Sequence, residues 1–395
     1  MRGSLVYKAI SLFYVLFVFT FSGAIYAQNN NRIKSVYALP RDASDPIAIL
    51  GAQLYFDINL SINRNQSCAT CHNPSHAFID NRDNGVAGMV SLGSDNVSLG
   101  DRNTPTLVYS VLSPTFERIR GEYVGGFFHD GRANTLADQA AGPPLNESEM
   151  GLTSKDQFLE RLKEKLSYQI SFENVFGENV FNDSKLAYAA MTQAIMAFQQ
   201  TELFMPFDSK YDRYLRGDVK FTEEEELGKV LFFSEQFTNC NQCHQLNRSP
   251  INRAEPFTNF KYHNIGVPEN TKLRNLNGVT HKDVGLFANP FVNTTTEKGK
   301  FKVPTLRNVA ITGPYMHNGI FQELLTVVKF YDKYNNPSRK INSETGKPWA
   351  PPEIQDNLDL ANLKIGSALN DQRLNALVAF LKTLTDKRYE HLLDK

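Results

Sequence analysis

The sequence has no excess of either charge, since 42 lysine and arginine residues balance 42 aspartate and glutamate residues. Proteins that bind nucleic acid usually carry a basic surplus, so this balance argues against a nucleic-acid partner. Cysteine and tryptophan are scarce, with four and one among 395 residues. No apolar run reaches the roughly 20 residues that a membrane-spanning helix needs. The remaining composition, 41% hydrophobic and 21% charged, is typical of a globular protein, and the length of 395 residues favours two or three domains.

The amino terminus has the pattern of a secretory signal peptide. Arg2 and Lys8 precede an apolar stretch over 9–21, and small residues lead to Ala27. This order predicts removal of residues 1–27 and a mature chain that has no stable membrane span. An uncleaved N-terminal anchor is the alternative. In either case the folded part is expected outside the cytoplasm.

All four cysteines fall within two copies of one motif, C-x-x-C-H, at positions 68–72 and 240–244. Two thiols at this spacing bond to the two vinyl groups of a haem, and the adjacent imidazole then reaches the iron. Each copy therefore predicts one covalently bound haem c. The predicted attachment residues are Cys68, Cys71 and His72 in the first copy and Cys240, Cys243 and His244 in the second.

Four cysteines in an exported protein have two alternative uses besides haem attachment. The cysteines could form disulfides or redox-active pairs, or all four thiolates could bind one zinc ion. Neither use explains why a histidine follows both pairs, so covalent haem is the stronger prediction.

The two motifs belong to a longer internal repeat. The matching segments are 50–57 with 227–234, 104–107 with 303–306, 128–131 with 316–319, and 194–203 with 376–385. Apolar residues recur at helical spacing in the first and last of these pairs, and Thr222 is suited to cap the helix that contains 227–234.

The repeat predicts a mainly α fold with two tandem c-type cytochrome domains. Their predicted ranges are 28–217 and 218–395, with the boundary near Gly217. Polar segments that are poor in apolar runs predict long irregular loops, and these cover 81–103, 246–300 and 335–360.

The two copies differ where a distal haem ligand would lie. Tyr331 follows His317 by 14 residues, whereas Pro143 follows His129 by the same number. A phenol can bind iron and proline has no donor side chain, so haem 1 is expected to be open and haem 2 closed. The alternative is that Tyr331 is a core aromatic residue of its helix.

Several further elements match a known family. They are N-P at 73–74, A-F at 77–78, R-N-T-P-T-L at 102–107, F-H-D-G-R-A at 128–133, Q-A-A-G-P at 139–143, E-M at 149–150 and G-P-Y-M-H at 313–317. Together with the haem motifs, they make the chain resemble the bacterial diheme cytochrome c peroxidases, and within them the MauG-type branch. The resemblance covers nearly all of the mature chain. It implies a periplasmic enzyme whose first haem is peroxidatic and whose second haem transfers electrons.

The resemblance also implies two catalytic residues beside the first haem, and the matching positions are Glu149 and Gln139. A carboxylate in a mostly apolar pocket can carry a proton from the iron-bound oxygen to the leaving oxygen of peroxide, and an amide can orient the ligand. The alternatives are that Glu149 is a surface acid beside Glu147 and that Gln139 is an ordinary helix amide.

A calcium ion between the haems is implied in the same way. The family binds it through one Asn side chain, two backbone carbonyls and waters, and the matching positions are Asn103, Thr312 and Pro314. Oxygen ligands of this kind suit calcium. At the second haem the peroxidases usually have a distal Met, whereas this chain has Tyr331, as in the MauG-like branch. A phenolate ligand favours the oxidised iron, so prior reduction is expected to be unnecessary.

The chain departs from the family at two places. The Trp usually found between the haems is replaced by His129, and the surface Trp that precedes the second motif in MauG-like proteins is replaced by Thr238. The only tryptophan, Trp349, lies in the Pro-rich segment 335–360. Oxidation of a bound protein over a long distance is therefore in doubt.

Three functions remain open at this stage. The first is a periplasmic peroxidase that reduces hydrogen peroxide with electrons from a small cytochrome c or a cupredoxin. The second is a MauG-like oxidase of an organic or protein substrate, which Tyr331 favours and the missing Trp residues weaken. The third is a noncatalytic electron carrier, which would need His76 or His129 as a sixth ligand at haem 1. Family members are often dimers, so a homodimer is one expected state.

Overall fold

Helical segments predominate over strands in the part of the chain that a computed structural model describes, residues 40–247 and 254–394. The twelve α-helices in these ranges are α1 Pro46–Phe56, α2 Cys68–Cys71, α3 Leu136–Ala140, α4 Lys155–Lys163, α5 Leu166–Phe176, α6 Ser184–Gln199, α7 Lys210–Arg216, α8 Glu223–Phe232, α9 Thr271–Asn277, α10 Leu324–Asp332, α11 Leu360–Leu363 and α12 Asp371–Lys382. Long irregular connections separate many of them. The prediction of a mainly α fold is confirmed.

The strands in the described ranges are short and form two antiparallel pairs. Strand β1, Glu117–Ile119, pairs with β2, Glu122–Val124. Strand β3, Tyr262–His263, pairs with β4, Phe301–Lys302, so that His263 lies opposite Phe301. The second pair joins two segments that flank the cavity described below.

One predicted loop is more regular than expected. The segment 246–300 contains α9 and β3 as well as irregular backbone. Asn270 begins α9 because its side-chain oxygen accepts a hydrogen bond from the Leu273 amide at 3.2 Å, and Leu273 is buried. A helix of seven residues with one buried apolar residue is too short for a periodic signal in the sequence.

The predicted cap of α8 is present. The Thr222 hydroxyl accepts a hydrogen bond from the Glu225 amide at 3.2 Å, and the Glu225 carboxylate accepts one from the Thr222 amide at 2.7 Å. This reciprocal pair satisfies two amides that the helix leaves without partners. The acidic first turn of α8 therefore stabilises its N-terminus, as the sequence indicates.

The same helix packing occurs twice. Gly51 of α1 faces the backbone of α6 at Ala194, and Gly228 of α8 faces the backbone of α12 at Ala376. These four positions correspond to one another in the sequence repeat. A side chain at either glycine would prevent the close approach, which explains why both copies have glycine there.

Each helix pair has its own hydrophobic core. Leu54 and Ile195 belong to the first core, and Phe232 and Phe380 to the second. The first cysteine of each haem motif packs against the core of its own half. Residues Arg41–Lys395 form one compact unit, and the division into domains 28–217 and 218–395 stays a prediction.

The signal peptide predicted over 1–27 lies outside the described residues. Within 40–247 and 254–394, no helix combines the length and the apolar character needed to cross a bilayer.

Candidate functional site

A continuous cavity of about 1190 Å³ is lined by both C-x-x-C-H motifs. Every predicted site residue contributes to its wall: Cys68, Cys71, His72, Asn103, Gln139, Glu149, Cys240, Cys243, His244, Thr312, Pro314 and Tyr331. The structure therefore brings residues of the first motif, at 68–72, and of the second motif, at 240–244, into the wall of one cavity.

The two motif histidines are held in the same way. His72 Nδ1 lies 3.0 Å from the carbonyl oxygen of Phe78, and His244 Nδ1 lies 3.3 Å from that of Phe257. Both phenylalanines have left-handed backbone, with φ of 57° and 55°. Because a carbonyl only accepts, Nδ1 carries the proton and Nε2 keeps a lone pair for a metal.

Burial keeps both imidazoles neutral, as a metal ligand must be. It lowers the pKa of His72, and it lowers the pKa of His244 to about 4. The histidines are thus prepared to bind iron through Nε2.

No disulfide joins any two of the four cysteines. Burial raises the pKa of Cys68 to about 12 and the pKa values of Cys71 and Cys240 to about 11, so these thiols are protonated. Among the described residues, no group of three or more His, Cys, Asp or Glu side chains is placed to hold a metal ion. The thiols therefore do not gather into the four-thiolate zinc site considered as an alternative.

The first-motif side of the cavity has an acid in its wall. Glu149 is partly buried, burial raises the pKa of its carboxyl group, and Asn146 Nδ2 donates a hydrogen bond to Glu149 Oε1 at 3.0 Å. The neighbouring Glu147 is exposed instead. Gln139, on α3, and Pro143 line the same cavity. This wall offers an acid and an amide but no side chain at position 143 that could bind iron.

The second-motif side has a phenol in its wall. Tyr331 lies on α10, and burial raises the pKa of the phenol well above its usual value of 10.0. The preceding residue, Phe330, occupies the hydrophobic core of that helix and is fully buried, whereas Tyr331 lines the cavity with Cys240 and Cys243. The core position on this part of α10 is therefore taken by Phe330.

Asn103 connects the equivalent histidines of the two repeats. Its backbone amide nitrogen donates to the backbone carbonyl oxygen of His317 at 2.7 Å, and His129 Nε2 lies 2.9 Å from the backbone carbonyl oxygen of Asn103. Burial lowers the pKa of His129 to about 4, so the neutral ring donates this hydrogen bond from Nε2.

The oxygens implied for calcium binding belong to residues that line the cavity. Asn103 Nδ2 donates to the Met89 carbonyl oxygen at 3.0 Å, which leaves Asn103 Oδ1 for another partner. No hydrogen bond from within the described ranges reaches the carbonyl oxygens of Thr312 or Pro314. This set of neutral oxygens suits a hard cation.

The sequence did not indicate a network of charged side chains around Arg102, which also lines the cavity. Arg102 donates two hydrogen bonds to Asp283 and one to Asp130, each at 2.7 Å. The Arg102 guanidinium also lies over the Phe301 ring, which stacks on His317 with centroids 3.6 Å apart. No repeat or short motif links Arg102 to Asp283, because 181 residues separate them.

A second pair that the sequence did not indicate lies beside Cys243. His263 Nδ1 is 2.6 Å from Asp359 Oδ2. Burial lowers the pKa of His263, but its interactions with Asp359 and Cys243 together outweigh burial and raise the pKa to about 9. His76, considered as a haem ligand in the carrier hypothesis, does not contribute to the cavity wall.

Comparisons with known proteins show the family to which the chain belongs. The family profile described as di-haem cytochrome c peroxidase matches residues 46–220. The methylamine utilization protein MauG of Paracoccus denitrificans is 50% identical over 361 residues, which cover 90% of this chain and 92% of that protein. The cytochrome c551 peroxidase of Pseudomonas aeruginosa is 30% identical over 309 residues, which cover 78% of this chain and 75% of that protein.

A solved structure has the same fold. The diheme peroxidase BthA from Burkholderia thailandensis superposes with a TM-score of 0.78 at 30% identity, over 89% of this chain and 88% of that chain. The relatives thus include both peroxidases and MauG proteins.

Proposed function

The chain belongs to the di-haem cytochrome c peroxidase and MauG family, and we propose that it is a periplasmic peroxidase that reduces hydrogen peroxide to water at the first haem site. Electrons reach that site through the second haem from a small cytochrome c or a cupredoxin. One observation carries the proposal: two haem motifs share one cavity whose walls differ, with Glu149 on one side and Tyr331 on the other.

The residues present fit two haems. Cys68 and Cys71 would bond one haem covalently and His72 would bind its iron, while the second motif would hold the other haem in the same way. The two neutral histidines, each with Nδ1 held by a backbone carbonyl oxygen, support this assignment. When bound, the haems supply iron that exchanges electrons and, where a coordination position is open, binds peroxide.

The protein contributes proton transfer at the first site. Reduction of hydrogen peroxide to two water molecules takes two electrons and two protons, and one proton must move from the bound oxygen to the leaving oxygen. Glu149 accepts that proton and returns it, Asn146 orients the carboxyl group, and the Gln139 amide orients the peroxide. The raised pKa of Glu149 supports this role, because the carboxyl group then exchanges protons nearer to neutral pH.

At the second site we assign Tyr331 as a residue that would bind the haem iron through its phenolate oxygen. Its place in the wall with Cys240 and Cys243 supports this assignment. A phenolate lowers the iron potential relative to a thioether, so the enzyme needs no prior reduction. Asn103, through its side-chain oxygen, and Thr312 and Pro314, through their carbonyl oxygens, would hold one calcium ion.

The proposal includes the predicted organisation of the chain. Export depends on a signal peptide over 1–27, and the haem domains extend over 28–217 and 218–395. The proposal also includes assembly as a homodimer, because family members are often dimers.

A MauG-like oxidase of an organic or protein substrate is the second candidate. Tyr331 and the 50% identity to a MauG protein favour it. His129 and Thr238, which stand where MauG-like proteins have tryptophans, weaken it. A noncatalytic electron carrier is the least supported function, because His129 Nε2 is already hydrogen-bonded to Asn103.

Spectroscopy of the oxidised holoprotein tests the proposal. Absorption and EPR spectra are recorded before and after one equivalent of hydrogen peroxide, without reductant. One high-spin and one low-spin haem, with a spectral change on peroxide addition, are expected. Two low-spin haems that do not react, before and after one-electron reduction, would indicate a carrier. If peroxide does change the spectrum, rapid peroxide turnover with reduced cytochrome c would favour the peroxidase over the oxidase.

A further inference from the structure

The only tryptophan of the chain lies at the surface on the far side of α10 from the cavity. Trp349 is partly buried, and the residues on both sides of it, Pro348 and Ala350, are exposed. The indole Nε1 donates a hydrogen bond to the carbonyl oxygen of Arg339 at 2.8 Å. Trp349 itself does not line the cavity.

Aromatic rings connect Trp349 to the second haem site. The Tyr331 ring, in the cavity wall, lies 6.0 Å from the Phe330 ring, and the Phe330 ring lies 5.7 Å from the indole, measured between centroids. Both contacts are edge-to-face, with interplanar angles of 80° and 71°. Phe330 is fully buried, so no solvent interrupts this path. Electron tunnelling decays steeply with distance, and rings in contact keep each step short.

We propose that Trp349 is a one-electron relay between the second haem site and the protein surface. This inference rests on the proposed peroxide chemistry. Reduction of one hydrogen peroxide with two protons to two water molecules withdraws two electrons from the haem centres. Trp349 returns one of these electrons through Phe330 and Tyr331 and becomes an indole radical cation. A one-electron donor at the surface then restores the indole.

The neighbouring residues explain why the indole is oxidised rather than another ring. Tyr334 also contacts Phe330, at 6.1 Å, but its hydroxyl donates to the Ile265 carbonyl oxygen at 2.9 Å. Oxidation of a phenol requires loss of its proton, and a backbone carbonyl does not take one. An indole can lose an electron first and keep its N–H, so the hydrogen bond to Arg339 is retained.

Lys333 opposes oxidation of the indole. Its ammonium nitrogen lies 3.8 Å from the Phe330 centroid and 5.5 Å from the indole centroid. A positive charge at this distance disfavours a second positive charge on the indole. Lys333→Met keeps most of the side-chain length without the charge, and it is expected to increase the oxidised fraction of Trp349.

The test uses the holoprotein with one equivalent of hydrogen peroxide and no donor. Peptide mass spectrometry is expected to find oxygenated Trp349 in wild type and more of it in Lys333→Met. In Trp349→Phe, which keeps an aromatic ring against Phe330, the peroxide-induced absorption change is expected to last severalfold longer because its electron source is gone. Tyr334→Phe is the matched control, and its decay should follow wild type.

The possible failures are distinct. If peroxide causes no spectral change in wild type, both the proposed function and the relay are overturned. If peroxide is consumed but Trp349 stays unmodified and Trp349→Phe decays at the wild-type rate, the relay alone is overturned. The same conclusion follows if Tyr334→Phe and Trp349→Phe slow the decay equally, because the effect would then not be specific to the indole.

Discussion

Gly51 lies so close to Ala194 that a Cβ atom at position 51 would be 1.9 Å from the Ala194 carbonyl oxygen. Gly228 has the same relationship to Ala376. Backbone atoms cannot yield as a flexible side chain does, so Gly51→Ala forces α1 away from α6. We expect a loss of about 3 kcal/mol in the free energy of unfolding, the upper range for overpacked cores. Denaturant unfolding of the holoprotein measures it.

Gly100 provides the control for that substitution. A Cβ atom there would have no neighbour closer than 3.7 Å. Gly100→Ala is therefore expected to change stability by less than about 0.5 kcal/mol. Equal effects of Gly51→Ala and Gly100→Ala would contradict the close helix contact.

Glu149→Gln should slow the reaction with peroxide about 100-fold or more, because the amide cannot relay a proton. The amide oxygen can still accept the hydrogen bond from Asn146, so the geometry of the wall is preserved. Stopped-flow absorption measures the rate, and Glu147→Gln, at an exposed position, is the control.

The wild-type rate should also depend on pH. Burial raises the pKa of Glu149, and only the carboxylate accepts a proton, so the rate should fall as the pH decreases through that raised pKa. Glu149→Gln should lose this dependence. A wild-type profile that persists in the variant would exclude Glu149 as the proton acceptor.

Tyr331→Met should change the second haem. A thioether favours reduced iron, so the midpoint potential is expected to rise, within the span of about 0.8 V over which axial ligands tune haem. A spectroelectrochemical titration measures this potential. Tyr334→Phe, two residues beyond the end of α10, should leave it unchanged. An unaltered spectrum and potential in Tyr331→Met would rule out Tyr331 as a ligand.

The pair of His263 and Asp359 makes stability depend on pH. The pKa of His263 is about 9 in the folded protein and about 6.5 in an unfolded chain. Its stabilisation is therefore complete below pH 6.5 and is lost as the pH rises through 9. Unfolding followed between pH 6.5 and 9 should show a decline on the order of 1–3 kcal/mol.

Asp359→Asn should reduce that decline, because the amide does not stabilise the charged imidazole as the carboxylate does. The exposed Asp356 provides the comparison, and Asp356→Asn should keep the wild-type profile. A decline of wild-type size in Asp359→Asn would assign the pH dependence to other groups.

Asn103→Ala should abolish stoichiometric calcium binding, because it removes one oxygen ligand and keeps the backbone hydrogen bonds to His129 and His317. Metal analysis after dialysis, with a chelator titration of wild type, measures the loss. Asn277→Ala is the control, since Asn277 lines the same cavity but binds Gly100 and Asp101. Calcium retained at one ion per chain in Asn103→Ala would refute the site.

The resemblance stated from the sequence is confirmed by the comparisons, and the mainly α fold by the structure. Both rest on local signals, which one sequence is sufficient to reveal. The C-x-x-C-H spacing follows from the size of a haem and one turn of backbone, and the Thr222 cap follows from hydrogen bonds three residues apart. The matched glycines at 51 and 228 follow from the internal repeat.

Only the tertiary structure decided which distant groups meet. It forms the shared cavity, the contact of His129 with Asn103, the stacking of Phe301 on His317 and the pairing of Arg102 with Asp283. Their partners are distant in sequence, and ion pairs or ring contacts of this kind leave no periodic pattern. The ring path from Tyr331 to Trp349 is of the same type. Local spacing thus determined what chemistry the chain can hold, and long-range packing determined which groups share it.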